Sequence, residues 1–182
     1  MKVFYYVSFL IVLTSLSCQS SKSNFTDMQI QNLETLVAGR HFKIESDRAY
    51  PQSSYAMQQV LNSGIMQPGS SSGTINLIGN SNFLKVSGDS ISSYLPYFGE
   101  RQMQVAYGGG DATIQLNGLV RNYQVKKNEK HGGYTISFEA DSHAERFRVV
   151  LELFPNLKSE IRLSGASRHA ISYSGQLSSV KE

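Results

Sequence analysis

Asp111 to Val125 read DATIQL-NG-LVRNYQV, two arms of mixed polar and apolar residues around Asn117-Gly118. Asn-Gly is the dipeptide a type I′ turn demands, because both central residues need positive φ, so the stretch predicts a two-residue β-hairpin. Outward from it the same period of two recurs. Tyr134, Ile136, Phe138 and Ala140 alternate with Thr135, Ser137 and Glu139. After a turn through Asp141 and Ser142 come Phe147, Val149, Leu151 and Leu153, and Pro155-Asn156 reverses the chain. Ile161 and Leu163 follow, Ser164 to Ser167 turn again, and Ile171 and Tyr173 close the series. On the N-terminal side, Ile75 and Leu77 lead into a turn at Gly79 to Asn82, Phe83 to Val86 run back, and Gly88-Asp89 separate them from a strand beginning at Ile91. The expected fold is mainly β: an antiparallel meander whose apolar face is buried by closing as a barrel or folding over as a sandwich. The two closures are equally compatible with the alternation.

One N-terminal helix precedes the sheet. Asp27 is placed to cap it, Ile30, Leu33 and Val37 recur at helical spacing, and Gly39 is placed to end it. His41 to Tyr50 then read as a strand with Phe42 and Ile44 on one face, and Pro51 terminates it. Gln52 to Gly73 break the rhythm, with a helical piece around Tyr55 to Leu61 and then QPGSSSG. Long loops of this kind are functional or disordered more often than structural. Met57 and Met66 give it the soft side chains of a lid, although covering a sheet edge is the plainer reading.

The chain opens MKVFYYVSFLIVLTSLSCQSSKSN. Lys2, a short apolar stretch and small residues before Cys18 describe a secretory signal over residues 1–17, since a membrane span needs roughly 20 apolar residues. Cys18 is the only cysteine, so no intramolecular disulfide exists. Its surroundings resemble the lipobox of bacterial lipoproteins, with small Ser17 before the cysteine and Leu16 near by. That resemblance implies acylation of Cys18, cleavage before it, and attachment to a membrane as partner. Residues 18–25 then form a polar tether, and residues 26–182 a single β-rich domain. No aspartate follows Cys18, which by the same resemblance implies the periplasmic face of the outer membrane. Removing residues 1–17 takes away Lys2 and leaves a net charge of +2 on about 165 residues, the size of one domain. So small a charge, with no basic run longer than Lys126-Lys127, excludes a nucleic-acid footprint.

Between Gly88 and Glu100 lies GDSISSYLPYFGE. SYLPYFG, preceded by FLKVSGDSI and followed by RHAISYSG, resembles an uncharacterised family of Bacteroidetes-type lipoproteins described as a domain of unknown function. The resemblance spans nearly the whole mature chain and implies no activity or ligand. The sequence departs from it at Glu100, where arginine is expected and Arg101 follows, and in the long loop 52–73. Physically, Pro96 ends a strand or puts it on an edge, and Gly99 permits a conformation other residues resist. Tyr94, Leu95, Pro96, Tyr97, Phe98 and Gly99 thus form either a buried aromatic corner, the simpler reading, or a ring-lined rim for a peptide, glycan or lipid tail.

Chemistry is otherwise sparse. His41, His131, His143 and His169 are scattered without metal-ligand spacing, G-x-S-x-G and S-x-x-K do not occur, and Gly108-Gly109-Gly110-Asp111 precede a strand rather than a helix. No cofactor is expected, no metal and no catalytic residue. The favoured expectation is a non-catalytic envelope lipoprotein that binds a small ligand or an envelope protein through the Tyr94–Gly99 bend and the 52–73 loop. A hydrolase of an envelope polymer requires two carboxylates or an Asp–His pair facing each other in a cleft. A scaffold pairing through a sheet edge is the third alternative.

Overall fold

Thr26, not Asp27, caps the first helix of the computed structural model, which describes residues 25–52, 55–64, 68–71, 73–99, 113–143 and 145–180. The Thr26 side chain accepts from the Gln29 N–H, and the Gln29 side-chain oxygen accepts from the Thr26 N–H at 3.0 Å. That reciprocal box needs a hydroxyl three residues before a glutamine, which Asp27 does not have, and so the cap falls one residue earlier than expected. Helix α1 (Asp27–Gly39) buries Leu33 and Val37. It stops where Arg40 turns left-handed at φ 50° and its N–H reaches back to the Val37 carbonyl.

Among the described residues eleven strands follow, in one antiparallel sheet. In chain order they are β1 (His41–Pro51), β2 (Ile75–Asn76), β3 (Phe83–Ser87), β4 (Ser90–Pro96), β5 (Thr113–Ile114), β6 (Asn117–Leu119), β7 (Arg121–Asn128), β8 (Gly133–Asp141), β9 (Arg146–Leu153), β10 (Lys158–Gly165) and β11 (Ile171–Ser179). A short helix α2 (Tyr55–Asn62) lies between β1 and β2, where a helical piece is expected. The Met57 side chain and Met66 of the expected lid lie outside the described residues, as do Cys18, Glu100, Arg101 and the glycines 108–110.

The spatial order is β5-β4-β3-β1-β11-β10-β9-β8-β7, with β2 also on β1 and β6 also on β4. The mainly β, antiparallel expectation holds, and β7 to β11 run as a meander, with β1 set between β3 and β11. β1 is central, pairing with β11 from Phe42–Ser179 to Pro51–Ile171. Ile75–Leu77 do not form the expected hairpin with β3; β2 and β3 lie end to end along the same edge of β1, which is long enough for both.

The Asn117-Gly118 turn is the second correction. Both residues lie within β6, opposite Ser92 and Ile91 of β4, and only Gly118 has positive φ. The chain changes partner between Leu119, still opposite Ser90 of β4, and Arg121, already opposite Glu139 of β8; a register shift at Asn122 (φ 54°) follows, after which Gln124 to Asn128 pair with Ser137 to Gly133. The arm LVRNYQV lacks the alternation a hairpin arm needs. Leu119 is 71% exposed, and Tyr123 is half-buried against Phe138, which belongs to β8.

The sheet is not closed into a barrel. Residues 113–119 lie on β4 and residues 121–128 on β8, so one continuous segment touches both ends of the sheet without a ladder running through. Among the described residues one isolated β-bridge, Leu116 to Ser142, spans the seam. The inward faces of the wrapped sheet meet in one apolar cluster, to which α1 adds Leu33 and Val37. The helix covers one end of the wrap, with Glu34 bonded to Lys127 and Arg40 to Asp89.

Candidate functional site

The segment Ser93–Gly99 ends β4 at the end of the wrap opposite α1, and most of it is committed to the interior. The Ser93 hydroxyl donates to the Ile114 carbonyl at 3.1 Å and accepts the Leu116 N–H at 2.9 Å, which stitches β4 to residues 114–116. Leu95 is fully buried. The Pro96 carbonyl accepts the Tyr173 hydroxyl at 2.9 Å, and the Tyr97 hydroxyl donates to the His169 carbonyl at 3.2 Å. Phe98 packs half-buried against the core. A Cβ on Gly99 would sit 2.6 Å from the Tyr97 hydroxyl, so that glycine is required by the ring beside it rather than by an unusual φ. Tyr94 alone of these rings faces outward, 43% exposed and opposite Phe83 of β3.

RHAISYSG, residues 168–175, meets this corner from the other side. Arg168 and Glu145 are each only 6% exposed and joined by Nε–H to Oε1 at 3.0 Å. The other Glu145 oxygen accepts the Ser167 N–H at 2.9 Å. The guanidinium lies 5.2 Å from the Tyr97 ring centroid and 6.0 Å from that of Phe147, flanked by aromatic faces that suit a weakly hydrated cation. Burial pushes the Tyr173 hydroxyl far above the usual tyrosine range, with Tyr97 adding to the rise and Arg168 opposing it.

Outside the corner, where β5 and the end of β8 part, a cleft of about 470 Å³ is lined by Thr113, Gln115, Asn117, Asp141, His143 and Arg168. An aspartate and a histidine therefore share a cleft. Asp141, however, is held by Arg146 at 2.8 Å and Arg121 at 3.1 Å, and the Arg146 hydrogen bond chiefly keeps its carboxyl below the usual range. A carboxylate so stabilised in its charged form is a weak base at neutral pH. Among the described residues no three His, Cys, Asp or Glu side chains converge as a metal site.

The outer face of the sheet across β1 and β11 carries two further clefts. β3 pairs with β1 only to Ile44 and β2 only from Arg48, leaving a gap at residues 45–47. The Asn82 amide fills it from the side, accepting from the Ser46 N–H and donating to the Ser46 carbonyl, both at 2.9 Å. Above this gap lies a cleft of about 530 Å³ that includes Lys43, Asp47, Ile78, Asn80, Phe83 and Gln176. A second, about 440 Å³, shares Asp47 and Gln176 and continues over Phe154, Asn156, Lys158 and Glu160.

Comparison with known families matches the model of a domain of unknown function, DUF4251, over residues 26–177. The chain belongs to the DUF4251 family. Among solved structures it is similar to a DUF4251 family protein from Bacteroides eggerthii, at 13% identity over 84% of this chain and 88% of that one, with a TM-score of 0.54. At that identity the likeness speaks for the fold. No curated protein matches.

In this DUF4251 domain the two sequence segments singled out beforehand, 93–99 and 168–175, are brought together, but as a corner in which Tyr94 is the outward ring. Glu145, Asn82, Asp47 and Gln176 carry no mark in the sequence. Glu145 sits in a turn like any exposed acid, and Asn82 reads as a turn residue, which it also is. A clue to the groove is the pair of half-buried phenylalanines, Phe83 and Phe154, at strand ends where turns are due.

Proposed function

We propose that this DUF4251 protein is a non-catalytic binding domain of the cell envelope, held by an acylated Cys18 at the periplasmic face of the outer membrane. The observation that carries the binding reading is the pair of clefts meeting at Asp47 and Gln176 on the outer face of the sheet. Concave, partly apolar surface with convergent polar groups is what ligand sites offer. Of the Ser93–Gly99 segment, Tyr94 faces outward opposite Phe83, which lines the first cleft, while the other residues fix the corner. The anchoring reading is supported by the signal-like residues 1–17, the small Ser17 and the polar stretch after Cys18. Eight residues, 18–25, reach at most about 26–29 Å, so an anchor at Cys18 keeps the domain within about that distance of the bilayer.

Two measurements test this. Cys18→Ala moves the protein out of the membrane fraction, because two or more acyl chains are what hold it firmly; variant protein still sedimenting with membranes overturns the anchor. Native mass spectrometry of the wild-type protein extracted from its own membranes shows a retained molecule that Gln176→Ala releases. Protein that carries nothing, or carries it equally in the variant, overturns binding at this surface.

A further inference from the structure

We infer that the outer-face groove receives a neutral, extended oligosaccharide; this rests on the binding reading above and names its ligand. Five side chains lie in register across the sheet. Glu45 faces Gln176, Gln176 faces Lys158, and the Phe154 N–H bonds to the Lys158 carbonyl. At the other end Leu84 faces Ile44, which sets Phe83 beside Glu45. The row therefore runs Phe83, Glu45, Gln176, Lys158, Phe154, with a ring at each end and polar groups between. It spans four strand spacings from β3 to β9, about 19 Å, the length of a short oligosaccharide.

The charge of the groove points the same way. Lys43, Arg48 and Lys158 balance Glu45, Asp47 and Glu160, and Lys43 contacts Glu45 directly. Asp47 also accepts from the Ser174 hydroxyl at 3.0 Å. Net charge of zero gives no pull on an anionic or cationic polymer. The amides of Asn80 and Gln176 each offer donors and an acceptor, Asn156 offers its NH₂ while its oxygen accepts the Lys158 N–H at 3.1 Å, and a ligand hydroxyl both donates and accepts. The apolar ring faces of Phe83 and Phe154 suit the C–H faces of sugar rings.

An extended peptide is the competing occupant and fits less well. Peptides bound as added strands need an unpaired sheet edge. The groove floor is β1 and β11: β11 has a strand on both sides, and in the 45–47 gap of β1 the Asn82 amide already pairs the Ser46 N–H and carbonyl while the Leu77 N–H takes the Asp47 carbonyl. Recognition there must come from side chains alone, which favours a ligand dense in hydroxyl groups.

The experiment uses the tethered domain from Cys18 onward, with Cys18→Ser for solubility, titrated with maltohexaose, cellohexaose and chitohexaose at millimolar concentration. Side-chain amide signals of Asn80, Asn156 and Gln176 are followed by NMR. At least one sugar moves all three, Gln176→Ala weakens it about tenfold or more, and the affinity is unchanged by salt because no net charge is neutralised. Gln176 is exposed, so this variant folds; unchanged amide dispersion checks that. If a mixed decapeptide pool moves the signals and the sugars do not, the sugar assignment is overturned while the binding reading stands. If sugars, peptides and a whole envelope extract all leave the signals in place, both fall.

Discussion

At Ser46 the backbone of β1 has no neighbouring strand on one side, and the Asn82 amide supplies both the acceptor and the donor that a strand would. Both residues are buried, so water cannot replace what Asn82 gives. Leaving a buried N–H and C=O unpaired costs about 1–3 kcal/mol each at most sites. Asn82→Ala is therefore expected to lower the unfolding free energy by about 2–4 kcal/mol in urea denaturation. Asn82→Asp keeps the acceptor for the Ser46 N–H and loses the donor, so it recovers part of the loss at most; full stability in either variant would show that Ser46 finds other partners. Glu145 poses the ionic version of the same problem. Removing one member of a buried pair strands the other charge, at about 3–5 kcal/mol, whereas replacing both by apolar groups is often neutral. Glu145→Ala should therefore be far less stable than Glu145→Leu combined with Arg168→Met, and equal midpoints for the two would mean the pair is solvated.

Partner choice along residues 113–128 is decided by burial rather than by turn chemistry. Asn117-Gly118 carry the strongest short-range turn signal in the chain, yet the arm after them has too little apolar surface to hold a hairpin. It pays better for Arg121–Asn128 to pair with β8, and Asn122, tolerant of left-handed φ, takes the register shift just inside that strand. Substitutions separate the two positions. Asn122→Val is expected to cost about 1–2 kcal/mol, Asn122→Gly to be tolerated, and Asn117→Ala to fall within about 0.5 kcal/mol of wild type. A large loss at Asn117 with none at Asn122 would restore the hairpin. The same competition explains what the sequence does and does not disclose. Strands with clean alternation over eight or nine residues, β8 to β11, are legible because each has one face to bury. So is α1, apart from a cap displaced by the glutamine at its third position. The central place of β1, the end-to-end seating of β2 and β3, and the open seam are set by contacts between distant segments, which no local pattern encodes. The groove is illegible for that reason too. Its row of Glu45, Gln176 and Lys158 exists only once β1, β11 and β10 are in register.

The wrapped sheet has two ends, and they are finished differently. At one, α1 lays Leu33 and Val37 into the core and ties itself outside with Glu34–Lys127 and Arg40–Asp89, both exposed pairs of small worth. At the other, two tyrosine hydroxyls bond backbone carbonyls beside a buried ion pair, so polar chemistry holds the corner where β4, β11 and the β10–β11 turn meet. That difference has a pH signature. Tyr173 is fully buried, and desolvation of its ionised form raises its pKa in the folded state far above the ordinary 10.0. Below that value both folded and unfolded chains keep it neutral, and its hydrogen bond contributes in full. Above it the unfolded chain loses the proton while the folded one retains it, so stability falls as pH rises, by about 1.4 kcal/mol per pH unit for one such group. Tyr173→Phe removes this dependence together with the bond to Pro96, which is worth about 1–1.5 kcal/mol near neutrality. The variant is therefore less stable than wild type at pH 8, and the two unfolding free energies converge near about pH 11. Urea denaturation at a series of pH values from 8 to 11 measures both curves. Curves that stay parallel throughout would mean Tyr173 ionises as readily in the folded protein as in the unfolded chain, and the corner would then be open to water.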